Sequence, residues 1–183
     1  NKSTVTLTSN DNDTVLTDGL FIDATSVKTP ASFKGTIDLS KYNVQNADAT
    51  LAKGTVSIQG TASANSLVGG TSKDVLYGNA GADSLWGGKG NDTLYGGAGN
   101  DTFIFKAGEG SDTIMDYAGG DLLQILKKDG SAGGSFSKSD FKNDTLTLTV
   151  KDGGSVIFKN VTASTDFNIN GETYHVSGKT LVK

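Results

Sequence analysis

A nine-residue period runs without insertion through the middle of the chain, and it restricts the fold more than any other feature. Four consecutive copies occupy Gly69–Tyr77, Gly78–Trp86, Gly87–Tyr95 and Gly96–Ile104. Position one is Gly69, Gly78, Gly87 and Gly96, and position two is Gly70, Asn79, Gly88 and Gly97. Position three varies (Thr71, Ala80, Lys89, Ala98), whereas position four is Ser72, Gly81, Gly90 and Gly99. Position six is always acidic, as Asp74, Asp83, Asp92 and Asp101, and position eight is always apolar, as Leu76, Leu85, Leu94 and Phe103. A weaker copy at Gly60–Val68 has Asn65 in the acidic place and Leu67 in the apolar one. An altered copy follows two residues late, Gly108-Glu109-Gly110-Ser111-Asp112-Thr113-Ile114. Ragged ends of this kind are expected of a solenoid.

Each position has a physical reason. The glycine-rich half must turn sharply, through backbone angles that side chains avoid, and its carbonyls must come close to whatever they bind. The second half, such as Thr93-Leu94-Tyr95, reads as a three-residue strand whose alternation sends position eight inward. One apolar residue per strand makes a narrow core. Two copies complete one coil of a flattened solenoid, so Asp83 stacks on Asp101 and Asp74 on Asp92, about 4.8 Å apart. Stacked carboxylates repel by roughly 1 kcal/mol per pair even at the dielectric of water. A divalent cation between turns reverses that sign. Carboxylate and carbonyl oxygens select a hard ion, and a flexible cage of oxygens suits calcium better than magnesium. Zinc is disfavoured by the absence of Cys and the single His. In one copy alone the aspartate reads as an ordinary turn former, but turn chemistry does not demand an acid at one fixed place in five.

The pattern G-G-x-G-x-D-x-U-x resembles the RTX, or hemolysin-type, calcium-binding nonapeptide repeat. The resemblance implies an all-β parallel β-roll with several calcium ions held in its turns. It implies that positions one, three and six face one ion, and positions two, four and six of the neighbouring turn face it from the other side. Carried over, Gly78, Ala80 and Asp83 pair with Gly97, Gly99 and Asp101, or the same positions do so in the reverse sense. The candidate ligands are thus positions one to four and six of the four full copies, together with Gly108, Gly110 and Asp112. Ser72 stands in a glycine place and Asn65 replaces an acid, so ions near residues 60–75 should bind weakly or be missing. The strongest sites are expected between Asp83 and Asp101 and around Asp92 and Asp112. The resemblance also implies a monomeric module of a larger bacterial protein, secreted or held at the cell surface and exported by type I secretion machinery.

Three regions follow: a β-rich flank over 1–59, the roll over 60–117 and a β-rich cap over 118–183. Alternation in Thr4-Val5-Thr6-Leu7-Thr8, Thr36-Ile37-Asp38-Leu39-Ser40 and Thr55-Val56-Ser57-Ile58 suggests irregular coils that need little metal. Asn12-Asp13-Thr14-Val15 echoes the repeats. Asp11-Asn12-Asp13 opens like an EF-hand loop but has Leu16 where that loop needs Gly. Beyond the array, Asp116 and Asp121 are candidates to cap the last ion, as such arrays are often closed by a further acid. Hairpins are expected at Thr145–Val150 with Ser155–Phe158, turning at Asp152-Gly153-Gly154, and at Asn170-Gly171. The last residues, Lys179–Lys183, read either as a final edge strand or, by the resemblance, as part of an uncleaved export signal.

Composition removes other classes. The chain has 25 Gly but one Pro and no three-residue glycine period, which excludes collagen. A formal charge of −4 gives no electrostatic reason to bind nucleic acid, and no stretch is apolar for long enough to span a bilayer. With no Cys, metal ions would supply the cross-links that disulfides supply elsewhere. The chain begins at Asn1 without a charged-then-apolar leader and reads as part of something longer. No constellation for catalysis is present: there is no Gly-x-Ser-x-Gly elbow, His175 sits in a hairpin strand, and Gly178-Lys179-Thr180 lacks the first Gly of a phosphate loop. The expectation is a module that is not an enzyme. Tyr77 and Tyr95 on one outer face, with Trp86 on the other, leave an alternative open: an accessory module that binds a polysaccharide. Cross-strand packing of like neighbours is the simpler account of the same residues.

Overall fold

The computed structural model describes residues 4–6, 26–28, 35–38, 46–49 and 53–183. Every regular element among them is a strand. Among the described residues no helix is long and apolar enough to cross a membrane. Before the repeats come β1 (Thr4–Thr6), β2 (Ser26–Lys28), β3 (Gly35–Asp38), β4 (Asn46–Asp48) and β5 (Val56–Gln59). The repeats supply β6 (Ser66–Val68), β7 (Val75–Tyr77), β8 (Ser84–Trp86) and β9 (Thr93–Tyr95), each three residues long, as positions seven to nine require. β10 (Thr102–Lys106), β11 (Ser111–Ile114) and β12 (Leu122–Leu126) are longer.

Successive strands pass alternately into two sheets, which makes the chain a parallel solenoid. One sheet contains β2-β4-β6-β8-β10-β12 and the other β3-β5-β7-β9-β11, all paired in parallel. The expected 18-residue step holds where the repeats are uninterrupted: Ser66 lies opposite Ser84 and Ser84 opposite Thr102, while Ser57 lies opposite Val75 and Val75 opposite Thr93. Outside that block the coil widens. The step becomes 20 residues from Thr93 to Thr113, from Thr102 to Leu122 and from Ser26 to Asn46. The flank therefore continues the solenoid through β1–β5 in irregular coils. The EF-hand-like loop and the Asn12–Val15 echo lie outside the described residues.

The core is a single file. Leu67, Leu76, Leu85, Leu94 and Phe103, the position-eight residues, are all buried, continuing Ile58 and Val56 from the flank. Where the coil widens, each strand points two side chains inward, Phe103 and Phe105 from β10 and Leu123 and Ile125 from β12. The cap then closes the broad end. β13 (Phe136–Lys142), β14 (Thr145–Val150) and β15 (Ser155–Lys159) form an antiparallel meander that joins one sheet through β15 against β11. β16 (Phe167–Ile169), β17 (Glu172–Ser177) and β18 (Thr180–Val182) extend the other sheet through β16 against β12. Both expected hairpins are present. Asn170 and Gly171 have φ of 53° and 83°, the pair of left-handed residues that a two-residue hairpin turn needs.

The two sheets meet again at the far end, where Phe141 N–H donates to the Lys179 carbonyl (2.8 Å) and Leu181 N–H to Ser139 Oγ (2.9 Å). Residues 180–182 are thus a final strand. Under this lid Tyr117 stacks on Phe167 at 5.4 Å and meets Phe158 edge-on at 5.0 Å. Its hydroxyl donates to the Asp121 carbonyl (2.8 Å) and accepts from Asn168 N–H (2.9 Å), so the buried phenol leaves no polar atom unsatisfied.

Candidate metal centre

The position-six side chains form two ladders, one along each edge of the flattened coil. Asn65, Asp83, Asp101 and Asp121 make the first, and Asp74, Asp92 and Asp112 the second. In each ladder Oδ1 of one carboxylate accepts the backbone N–H of the residue one coil earlier: Asp83 from Asn65 (2.7 Å), Asp101 from Asp83 (2.9 Å), Asp92 from Asp74 (2.8 Å), Asp112 from Asp92 (3.1 Å). Every one of these side chains is 5% exposed or less. The acid is therefore part of the fold's hydrogen bonding, and its second oxygen decides what else it can do.

That second oxygen divides the ladder into two kinds of rung. In Asp74, Oδ2 accepts the Gly70 N–H (2.6 Å) while Oδ1 accepts Val56 N–H (2.7 Å), so both oxygens have donors. In Asn65, Oδ1 accepts Thr61 N–H (2.6 Å). At the other end Asp121 Oδ2 accepts Ala118 N–H (2.8 Å). Between these ends Oδ2 of Asp83, Asp92 and Asp101 is buried and no N–H or O–H donor reaches it. An unpaired buried acceptor is costly, about 1–3 kcal/mol and more when charged. Three in a row, one coil-edge apart, call for a cation.

Glycine at position one has a reason other than turning. None of Gly78, Gly87 and Gly96 has a positive φ, but a Cβ on any of them would collide with Oδ2 of the aspartate five residues later. Positions two and four of the second to fourth copies do use the left-handed region, for example Gly99 at φ 138°, whose Cβ would run into the Gly81 carbonyl of the coil above. Asn79 takes the same region at φ 78°, as Asn tolerates, and its Nδ2 donates to the Gly60 carbonyl (2.7 Å). Ser72, in a glycine place, donates its hydroxyl to the Lys53 carbonyl (2.6 Å).

The turns stack as the sequence expects. Ala80 lies opposite Ala98 and Gly90 opposite Gly110, with Ala98 N–H donating to the Asn79 carbonyl (2.7 Å) and Lys89 N–H to the Gly70 carbonyl (3.0 Å). Gly78, Ala80 and Asp83 are brought against the turn of Gly97, Gly99 and Asp101, and Asp92 against Gly110 and Asp112, whereas Gly108 N–H donates to the Gly153 carbonyl of the cap (2.9 Å). Asp116, the other candidate cap, uses its carboxylate on Gly96 N–H (2.9 Å) and Gly97 N–H (3.0 Å). The sequence marks Asp121 only as a cap; it is the next rung of the Asp83–Asp101 ladder, displaced from phase by the two-residue widening.

Electrostatics agree with the open rungs. Residues 60–117 hold seven acidic and three basic side chains, which accounts for the whole formal charge of the chain. Burial pushes the Asp83 carboxyl up to about 6, with the Asp101 charge adding to it. Asp92 and Asp112 are also raised, first by burial and then by neighbouring charges, Asp74 and Glu109 acting on Asp92, and Asp92 and Glu109 on Asp112. Among the described residues no three acidic or His side chains converge on one point. A metal here would take one carboxylate per turn and complete its shell with turn carbonyls, the donor set of a hard cation. No thiolate is available, since the chain has no Cys, and its one His lies in β17 of the cap. The residues present fit calcium.

Two of the three outer aromatics pack on each other. Tyr77 and Tyr95 stack at 4.7 Å with rings 11° apart, so each covers a face of the other, and Trp86 Nε1 donates to Glu109 Oε2 (2.8 Å). Cross-strand packing accounts for this arrangement.

Comparison with known families gives one match, to the RTX calcium-binding nonapeptide repeat in four copies, over residues 57–85 and 68–103. No curated protein matches the chain.

Proposed function

We propose, from the premise that residues 57–103 are RTX calcium-binding repeats, that calcium switches this chain from an unfolded to a folded module outside the cell. The observation that carries the reading is the run of three buried carboxylate oxygens without donors, on Asp83, Asp92 and Asp101. Asp83 with Asp101, Asp92 with Asp112, and Asp101 with Asp121 would hold the ions. Carbonyls at positions one to four of the facing turns would complete each shell. A bound ion supplies the positive charge that these oxygens lack. The aspartates hold adjacent coils in register through Oδ1, and the position-one glycines leave room for Oδ2 to face the neighbouring turn.

The functional consequence is conditional folding. Ions that bind only the folded coil stabilise it by mass action, so the module stays unfolded where calcium is scarce and folds where it is plentiful. An export-competent chain that folds after secretion fits that behaviour, with type I machinery as the route and a larger secreted protein as the cargo. The division at about residues 60 and 117 follows the change from regular repeat to flank and cap. The module performs no chemistry of its own. Circular dichroism in calcium and in excess chelator tests the reading: the β signal should collapse with chelator and return on adding calcium. An unchanged β signal after complete demetallation would remove it.

A further inference from the structure

Position three is a turn position that the repeats leave free to vary, and its side chains at Lys89 and Ala98 are exposed. Glu109 occupies the same position in the altered turn Gly108–Asp112, because Gly90 pairs with Gly110 and Asp92 with Asp112 one coil apart. Its side chain is only 9% exposed. It folds back onto the outer face of the coil, where Oε2 accepts the indole N–H of Trp86 at 2.8 Å and Oε1 lies 3.8 Å from Lys106 Nζ. Its carbonyl accepts Gly90 N–H at 2.7 Å, fastening this turn to the one above. The turn pair so joined contains Asp92, whose Oδ2 is buried without a donor and whose residue is 1% exposed. The Glu109 charge acts on both carboxylates of the pair, raising Asp92 and Asp112 alike.

We propose that Glu109 is a positioning residue that sets the cation affinity of the site between the Asp92 and Asp112 turns, and that Trp86 anchors it there. It rests on the reading of Asp92 and Asp112 as cation ligands and goes beyond it, because a position-three side chain is no part of the repeat's ligand set. Held by Trp86, the Glu109 carboxylate adds a negative charge at position three of this site, opposite Lys89 of the facing turn, whereas Ala80 and Ala98 stand at position three in the Asp83–Asp101 site and its added charge is Asp116, held on Gly96 and Gly97 N–H. The anchor is also the chain's one tryptophan, so intrinsic fluorescence reads this site selectively.

The test uses the full chain as wild type, Glu109→Gln and Trp86→Phe, titrated with calcium chloride by calorimetry in all three and by Trp86 emission in the first two. Glu109→Gln keeps an oxygen for the indole N–H and removes only the charge. It should weaken one site roughly tenfold, the effect of one charge on a divalent ion at a partly screened distance, and move the emission change to correspondingly higher calcium. The remaining sites should be unaltered. Trp86→Phe keeps the charge but frees the side chain, and should weaken the same site by less. A Glu109→Gln chain whose isotherm and emission curve superimpose on wild type overturns the proposal, as does an equal weakening of every site. Should Trp86→Phe leave that site untouched, the anchoring role is overturned. A wild-type chain that takes up no calcium would remove the underlying reading instead, which separates the two failures.

Discussion

Asp74 and Asp92 stand one coil apart on the same edge of the solenoid, and only one of them is closed. Both give Oδ1 to a backbone N–H of the preceding coil. Asp74 Oδ2 then takes the Gly70 N–H of its own turn, whereas Asp92 Oδ2 takes no donor. The sequence around both is nearly the same. What differs is the turn in front: Gly69-Gly70-Thr71-Ser72 bends its own amide onto the acid, and Gly87-Gly88-Lys89-Gly90 does not. A rung that is satisfied internally needs no ion, and one that is left open makes folding depend on one. The array therefore has a self-sufficient start and a cation-dependent middle.

The largest expected effect separates the two regions by removing the ion. Each open site saturated at a hundred times its Kd contributes about 2.7 kcal/mol, so three contribute about 8 kcal/mol, comparable to the whole net stability of a typical domain. Thermal melting in excess chelator should show the folded transition lost or lowered by tens of degrees. A melting curve that ignores chelator would place the middle of the array with its start.

Crowding an open rung comes next. Gly96→Ala sets a methyl on Asp101 Oδ2 and against Phe103, and should cost about 3 kcal/mol by denaturant titration in calcium. Gly119→Ala, with nothing within 4 Å of its Cβ, should stay within about 0.5 kcal/mol.

Neutralising the acid sharpens the comparison by sign. Asp101→Asn keeps Oδ1 for the Asp83 N–H but removes a buried, unpaired charge, so it should stabilise the metal-free chain by about 1 kcal/mol while weakening calcium binding at least tenfold. Asp74→Asn should instead lose about 1 kcal/mol in both conditions, because an amide cannot accept from Val56 and Gly70 with both of its ends. Paired melts of the two variants with and without calcium check this.

The smallest effect is on pH. Asp83 holds its proton up to about 6 in the folded coil against 3.8 for an ordinary aspartate, so the folded metal-free state binds more protons across that window. Its contribution to metal-free stability is present below about pH 4 and is lost as pH rises through about 6. Calcium affinity runs the opposite way, rising over the same window as the competing proton leaves. Calorimetry at pH 5 and pH 7.5 should show weaker binding at the lower pH.

Much of the fold was legible because the repeat is periodic. The phase of Asp74, Asp83, Asp92 and Asp101 sets the 18-residue step, and Leu76, Leu85, Leu94 and Phe103 set the inward face. Asn170-Gly171 marks its hairpin by local turn chemistry alone. Less legible was whatever depends on partners far along the chain. β11 finds β15 some 44 residues later and β12 finds β16 some 46 later, with no shared motif to announce either pairing. Asp121 was hidden as a ladder rung because the widening at Phe105-Lys106 breaks the nine-residue count before it. The closure of Asp74 depends on how Gly70 points its amide, a backbone angle that the letters Gly-Gly do not specify.

The central claim concerns three particular oxygen atoms, so a crystal structure grown in calcium tests it most directly. Anomalous density should appear about 2.4 Å from Oδ2 of Asp83, Asp92 and Asp101, with turn carbonyls completing each shell and no ion at Asp74 Oδ2. Those three oxygens bonded only to water in a calcium-saturated crystal, or an ion bound first at Asp74, would contradict the account.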